Sequence, residues 1–133
     1  MVSRRWKLSN KSVFNVGYHL IWCSKYRRNI LVGSVETRLK ELLVQKAEEI
    51  GASIEKMDVM PDHVNLIIKA DPTMSPHFIV QQFKGYTSRI LRQEFPTISS
   101  RLPTLWTRSY YVESVGHISE IVIRKYIGDQ KNV

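Results

Sequence analysis

The 133-residue chain has one cysteine, Cys23, and no cluster of cysteine and histidine at zinc-site spacing. An intramolecular disulfide framework and a zinc finger are both excluded, and the lone thiol points to reducing, cytoplasmic surroundings. No run of about 18 apolar residues is present to span a bilayer, and the N-terminus lacks the apolar core of a signal peptide. There is no internal repeat, no low-complexity segment and no sign of a second domain. Acid is missing where base is plentiful: residues 1–28 hold seven basic side chains and no carboxylate.

The whole chain carries 20 Lys and Arg against 12 Asp and Glu, a net charge of +8. Split by position, residues 1–28 sum to +7, residues 29–83 to −3 and residues 84–133 to +4. Base at both ends with an acidic middle suggests a polyanionic partner, nucleic acid or an anionic surface, and says nothing of fold. A hydrophobic share of 43% is ample for one self-folding domain.

Residues 1–12 are polar and basic apart from Trp6 and read as a flexible arm. Val13 to Ser24 is aromatic and β-branched on both faces, as a central strand requires, and the basic turn Lys25-Tyr26-Arg27-Arg28 closes it. After Gly33, with Ser34 as an expected N-cap, apolar residues recur at three-and-four spacing as far as a C-terminal Gly51. Ala52 to Met60 and His63 to Ala70 read as strands joined through Pro61-Asp62. Ser75-Pro76 opens a helix whose apolar face runs to Phe95-Pro96. Residues 97–109 read as a loop, Tyr110 to Val115 as a fourth strand, Gly116 as a joint and Ile118 to Gln130 as a last helix. The order β-α-β-β-α-β is the ferredoxin-like (RRM-like) α+β plan, an antiparallel sheet with helices on one face, and the C-terminal helix is an addition to it.

Three groups of residues could carry chemistry. Strand alternation puts His63 and Asn65 side by side on one face, although a hydrogen-bonded histidine near a turn and a surface amide would look the same. On the last helix Tyr126 and Gln130, four apart, share a face, which equally fits a packed tyrosine and a solvated amide. Basic residues interleaved with aromatics describe a binder of single strands, with Tyr18 and Trp22 better placed in the core and Lys25, Arg27 and Arg28 better placed for contact.

Four spaced motifs carry a resemblance. They are Tyr18-His19-Leu20-Ile21-Trp22-Cys23-Ser24-Lys25-Tyr26-Arg27-Arg28, then Met60-Pro61-Asp62-His63-Val64-Asn65-Leu66, then Gln81 to Arg89, and finally Tyr126 to Gln130. In order and over nearly the whole chain, the sequence resembles the single-domain tyrosine transposases of the IS200/IS605 group, which are HUH endonucleases. The resemblance implies a single domain over residues 1–133 and a single-stranded DNA transposase that cleaves and rejoins insertion-element ends through a 5′-phosphotyrosine. It implies Tyr126 as nucleophile and a divalent cation, Mg²⁺ or Mn²⁺, held by His63, Asn65 and Gln130, with no nucleotide cofactor. It also implies hairpin-ended single-stranded DNA as substrate and a homodimer in which the tyrosine helix often comes from the partner chain. The basic residues Lys25, Arg27, Arg28, Lys84 and Arg89 are the expected DNA contacts, and with no helix pairing a Lys/Arg-lined face with a strongly apolar one, no membrane partner is expected.

One position departs from the pattern: the second histidine of the family is Asn65 here. An amide oxygen can ligate Mg²⁺ or Mn²⁺ but suits softer ions less well than imidazole, which favours hard cations and a weaker grip. Two other readings remain open, a non-catalytic binder of single-stranded nucleic acid and a related HUH nuclease acting on repeated genomic hairpins. The first has no use for His63, Tyr126 and Gln130 together.

Overall fold

The computed structural model describes residues 16–115 and 120–131. The expected arm over residues 1–12, with Trp6, and the expected joint at Gly116 lie outside the described residues. Strand β1 is Val16–Cys23, helix α1 Gly33–Ile50, strands β2 and β3 Ser53–Met60 and His63–Ala70, and helix α2 Pro76–Glu94. Helix α3 is Pro96–Arg101, strand β4 Tyr111–Ser114 and helix α4 Glu120–Asp129. The sheet order is β2-β3-β1-β4 with every neighbouring pair antiparallel, which is the ferredoxin-like arrangement expected.

Local chemistry explains most boundaries. Gly51 adopts φ 79°, the left-handed conformation a helix C-terminus needs, and its N–H bonds back to the last turn of α1. Ser75 caps α2 by accepting from the Phe78 N–H at 3.0 Å, with Pro76 behind it in the first turn. Ser34 is not the N-cap of α1: the helix starts one residue earlier, at Gly33, and the cap position falls to Val32, which offers no side-chain bond. Helix α3 replaces the start of an expected loop. At six residues it is too short to show a period, and Pro96 in its first turn is the one local signal for it.

Alternation sorts the strands into two faces. Leu20 and Trp22 of β1 and Val64, Leu66 and Ile68 of β3 point to the helices and are fully buried with Leu39, Leu42, Leu43, Ile79, Val80 and Phe83. Trp22 stacks on Phe83 with ring centroids 6.0 Å apart and meets Trp106 edge-on at 5.9 Å. The opposite face carries His19, Ile21 and Cys23 of β1, His63 and Asn65 of β3, and Tyr111 and Glu113 of β4, as the registers require. Helix α4 lies against this second face, where Tyr126 packs on Tyr111 with centroids 6.0 Å apart.

The segment after α3 is tied to the end of β1 almost as a further strand. Lys25 N–H donates to the Leu105 carbonyl at 2.8 Å and Thr107 N–H to the Cys23 carbonyl at 3.0 Å, and Ser24 bridges to Trp106. The buried Trp106 ring donates from Nε1 to Thr87 Oγ1 at 3.1 Å, which fixes the segment to α2 as well.

Candidate active site

His63 opens β3 on the face away from α1 and α2. Its Nδ1 lies 2.7 Å from Asp62 Oδ1, and Arg27 Nε donates to the other carboxylate oxygen at 2.8 Å. Burial works to raise the Asp62 pKa, but the bonds from His63 and Arg27 outweigh it and hold the carboxyl below its ordinary value. An ionised carboxylate only accepts, so Nδ1 carries the hydrogen and Nε2 is the ring nitrogen left over for another partner. Imidazoles that ligate metals are oriented in this way. Arg27 reaches Asp62 because the basic turn folds back on itself: Tyr26 and Arg27 both take left-handed backbone, φ 57° and 52°, a strained pair for residues with side chains.

Asn65, two residues on, shares the face. Its Oδ1 accepts from Nε2 of the buried His19 on β1 at 2.5 Å. That leaves His19 Nδ1 buried without a partner among the described residues, and Glu113 Oε2, on the residue that pairs with His19 across β4, is buried without one among them too. The second Glu113 oxygen accepts from the Tyr111 hydroxyl. A polar row therefore crosses three strands beside the expected cation ligands.

Tyr126 and Gln130 are brought together as the four-residue spacing expects, and a third residue joins them. Ser109 Oγ lies 3.2 Å from the Tyr126 hydroxyl and donates to Gln130 Oε1 at 2.7 Å. Gln130 Nε2 donates to the Tyr126 carbonyl at 3.2 Å. Burial pushes the Tyr126 phenol up to about 12, the nearby Cys23 thiol adds to the rise, and bonds to Ser109 and Thr107 oppose it. Ser109 itself is placed by Lys84, whose ammonium donates to the carbonyls of Thr107, Arg108 and Ser109 at 2.7, 3.3 and 3.2 Å. Among the described residues no hydrogen bond joins this trio to His63 or Asn65. The two sets meet on one sheet face: Cys23, which influences Tyr126, is the register partner of His63.

The expected DNA contacts separate. Lys25 lines a cleft of about 290 Å³ with Arg108, Ser109 and Gln130. Arg28 is exposed and lines a second cleft, of about 300 Å³, with Ile30, Arg101 and Leu102. Arg27 is committed to Asp62. Lys84 is 8% exposed, so its charge is not offered to a phosphate; it organises residues 107–109 instead, and burial lowers its pKa to about 8. Arg89 is exposed on the helix layer, over the ring of Tyr86, which bonds to Gln45 of α1, and so stands on the other side of the sheet from His63. Ser109 lies in none of the motifs, Arg108 stands out only as a basic residue among aromatics, and His19 and Asp62 lie inside two motifs without having been assigned a role.

Imidazole nitrogen and amide oxygens form a donor set suited to a hard divalent cation. The His63–Asp62 bond orients one ligand, and Asn65 Oδ1 keeps a second lone pair beyond the bond from His19. The donor types of His63, Asn65 and Gln130 therefore suit Mg²⁺ or Mn²⁺, although Gln130 stands in the cleft with Lys25, Arg108 and Ser109 and no three His, Cys, Asp or Glu side chains gather as a metal cluster among the described residues.

Residues 12–130 match the sequence family described as Transposase IS200 like. The chain belongs to the IS200-like transposase family. The transposase is 38% identical over 120 residues to the ISDra2 transposase TnpA of Deinococcus radiodurans, a match covering 89% of this chain and 86% of that one. It is 27% identical over 119 residues to the transposase for insertion sequence element IS200 of Salmonella typhimurium, covering 88% and 78%. A crystal structure of a transposase from Deinococcus radiodurans R1 matches the fold with a TM-score of 0.82 and 32% identity, covering 94% of this chain and 98% of that one. A REP-associated tyrosine transposase bound to a REP hairpin shares the fold at a TM-score of 0.57 and 12% identity, covering 90% and 68%. The transposase is thus an enzyme of DNA transposition. No helix of its described residues is long and apolar enough to cross a membrane.

Proposed function

We propose that this transposase cleaves and rejoins single-stranded DNA at insertion-element ends through a 5′-phosphotyrosine formed on Tyr126, with Mg²⁺ or Mn²⁺ held by His63, Asn65 and Gln130. The observation that carries the reading is the convergence of the Tyr126 hydroxyl and the Gln130 amide oxygen on Ser109, over the sheet face that bears His63. The Tyr126 oxygen attacks phosphorus, a new P–O bond forms, the P–O3′ bond breaks, and the phenol proton ends on the departing 3′-oxygen. Attack on the phosphotyrosine by another 3′-hydroxyl reverses the exchange and joins strands without ATP. A phenol pushed up to about 12 is a poor nucleophile at neutral pH. The cation, when bound, supplies polarisation of the scissile phosphate and offsets the charge that builds on it.

Within the chain, Lys25 and Arg108 flank the cleft that contains Ser109 and Gln130 and are suited to hold the phosphates on either side of the scissile bond. Hairpin-ended single-stranded DNA is the proposed substrate, a reading supported by the hairpin bound to the REP-associated relative, and a homodimer is the proposed working form.

The test is direct. A labelled single strand carrying an element end is incubated with the protein and Mg²⁺ or Mn²⁺ and run on a denaturing gel. A protease-sensitive adduct is expected with the native chain and none with Tyr126→Phe; an undiminished adduct with Tyr126→Phe refutes the assignment.

A further inference from the structure

Ser109 stands between the two groups the proposed reaction needs, and counting hydrogens fixes the direction of its bonds. Gln130 Oε1 has no hydrogen to give, so at 2.7 Å the Ser109 hydroxyl spends its single hydrogen on that oxygen. Towards Tyr126, 3.2 Å away, Ser109 Oγ can then only accept, and the phenol is the donor. The row runs from Tyr126 O–H to Ser109 O–H to Gln130 Oε1. The backbone of the serine is anchored independently of α4, by the Lys84 ammonium on the Thr107, Arg108 and Ser109 carbonyls.

The geometry points to Ser109 as a positioning residue that couples occupancy of Gln130 to hydrogen-bond donation onto the Tyr126 oxygen. The inference rests on the reading in which Gln130 Oε1 takes the cation. A cation and the positive end of the Ser109 O–H dipole repel each other when both face the same oxygen. With a cation on one lone pair of Gln130 Oε1, the bond that the serine hydrogen makes to the other is weakened. Rotation about one C–O bond turns it onto the Tyr126 oxygen as the phenol proton leaves for the 3′-oxygen. No bond to serine is made or broken. One hydroxyl thus opposes cation binding and favours attack by the tyrosine, two effects of opposite sign.

The sign difference is the test. Mn²⁺ binding is titrated without DNA, and the rate of adduct formation is measured with the labelled strand, for the native chain, Ser109→Ala, Ser109→Thr, Tyr126→Phe, Gln130→Ala and His63→Ala. Ser109→Ala is expected to bind Mn²⁺ roughly 2- to 10-fold more tightly and to form adduct at least about tenfold more slowly, the scale of one hydrogen bond in each case. Ser109→Thr keeps a hydroxyl and is expected to stay near the native chain on both readouts, while Tyr126→Phe is expected to form no adduct. Mn²⁺ affinity that is unchanged or weakened in Ser109→Ala, at a site sensitive to His63→Ala, overturns the coupling alone. Mn²⁺ binding indifferent to both His63→Ala and Gln130→Ala overturns the cation reading and the coupling with it.

Discussion

Asp62→Asn probes the brace behind His63. In the folded chain one carboxylate, on a side chain only 13% exposed, serves two donors: Arg27 Nε at 2.8 Å and His63 Nδ1 at 2.7 Å. Asparagine keeps the shape and one acceptor oxygen, but the other position becomes an NH₂ that cannot accept, so one donor loses its partner and the surviving bond loses its charge. Hydrogen bonds to charged groups are worth about 1.5–3 kcal/mol net, and the partial exposure of Arg27 reduces its share, so the expected loss is about 1–2 kcal/mol. Across 133 residues, an unfolding entropy of about 2.1 cal/mol/K per residue converts that loss into a Tm lower by about 4–7 °C. The larger effect is expected at the proposed cation site, because removing the outer carboxylate of a ligating histidine costs roughly 10- to 100-fold in metal affinity. Thermal melts and Mn²⁺ titrations of the native chain, Asp62→Asn, Arg27→Gln and the double variant give both numbers. Both substitutions act through one carboxylate, so the double variant should lose less than the sum of the singles by about 1 kcal/mol. An Asp62→Asn protein that melts with the native chain and binds Mn²⁺ equally well refutes the brace.

Restoring imidazole with Asn65→His should raise Mn²⁺ affinity by about tenfold or more, and no gain would show that residue 65 is not a ligand. Cys23 is fully buried and its thiol is pushed up to about 12 by burial first and by Asp62 second, so a thiol reagent at pH 8 should leave the folded protein unlabelled and label it fully in denaturant. The folded pKa lies above the ordinary thiol value of 9.0, so the stability contributed by that thiol is intact below about pH 9 and is lost as pH rises towards 12. Denaturant melts of Cys23→Ala should accordingly fall less steeply with pH over that window, and parallel curves would contradict the assignment. Trp22→Ala removes a fully buried ring packed between Phe83 and Trp106 and should cost about 3–5 kcal/mol, read as a lowered denaturant midpoint.

Local pattern carried much of this molecule. Strand β3 begins and ends where alternation and the Pro61-Asp62 turn put it, because one of its faces is wholly apolar and a one-residue slip would reverse every side chain. The pairing of Tyr126 with Gln130 was legible for the same kind of reason, helical spacing. What was not legible depends on contacts across the chain. His19 reaches Asn65 over 46 positions, and Ser109 reaches Tyr126 and Gln130 over 17 and 21; nothing near Ser109 in the sequence marks it. Lys84 was legible in principle: it stands four residues after Val80, three before Thr87 and seven before Leu91, all buried on one stripe of α2. A cation on such a stripe has to find oxygen inside the fold rather than phosphate outside it.

The bonds from Lys25 to Leu105 and from Thr107 to Cys23 give the two halves of the site a common datum. Strand β1 sets the height of His63 and Asn65 through its register with β3, and its last residues set the height of Ser109 through the segment at 105–107. The offset between the proposed cation ligands and the serine that meets the nucleophile is therefore ruled off along a single strand and does not vary with the path of the chain between β4 and α4. A tyrosine helix of correct sequence would find the same socket at the same distance whichever way it arrived.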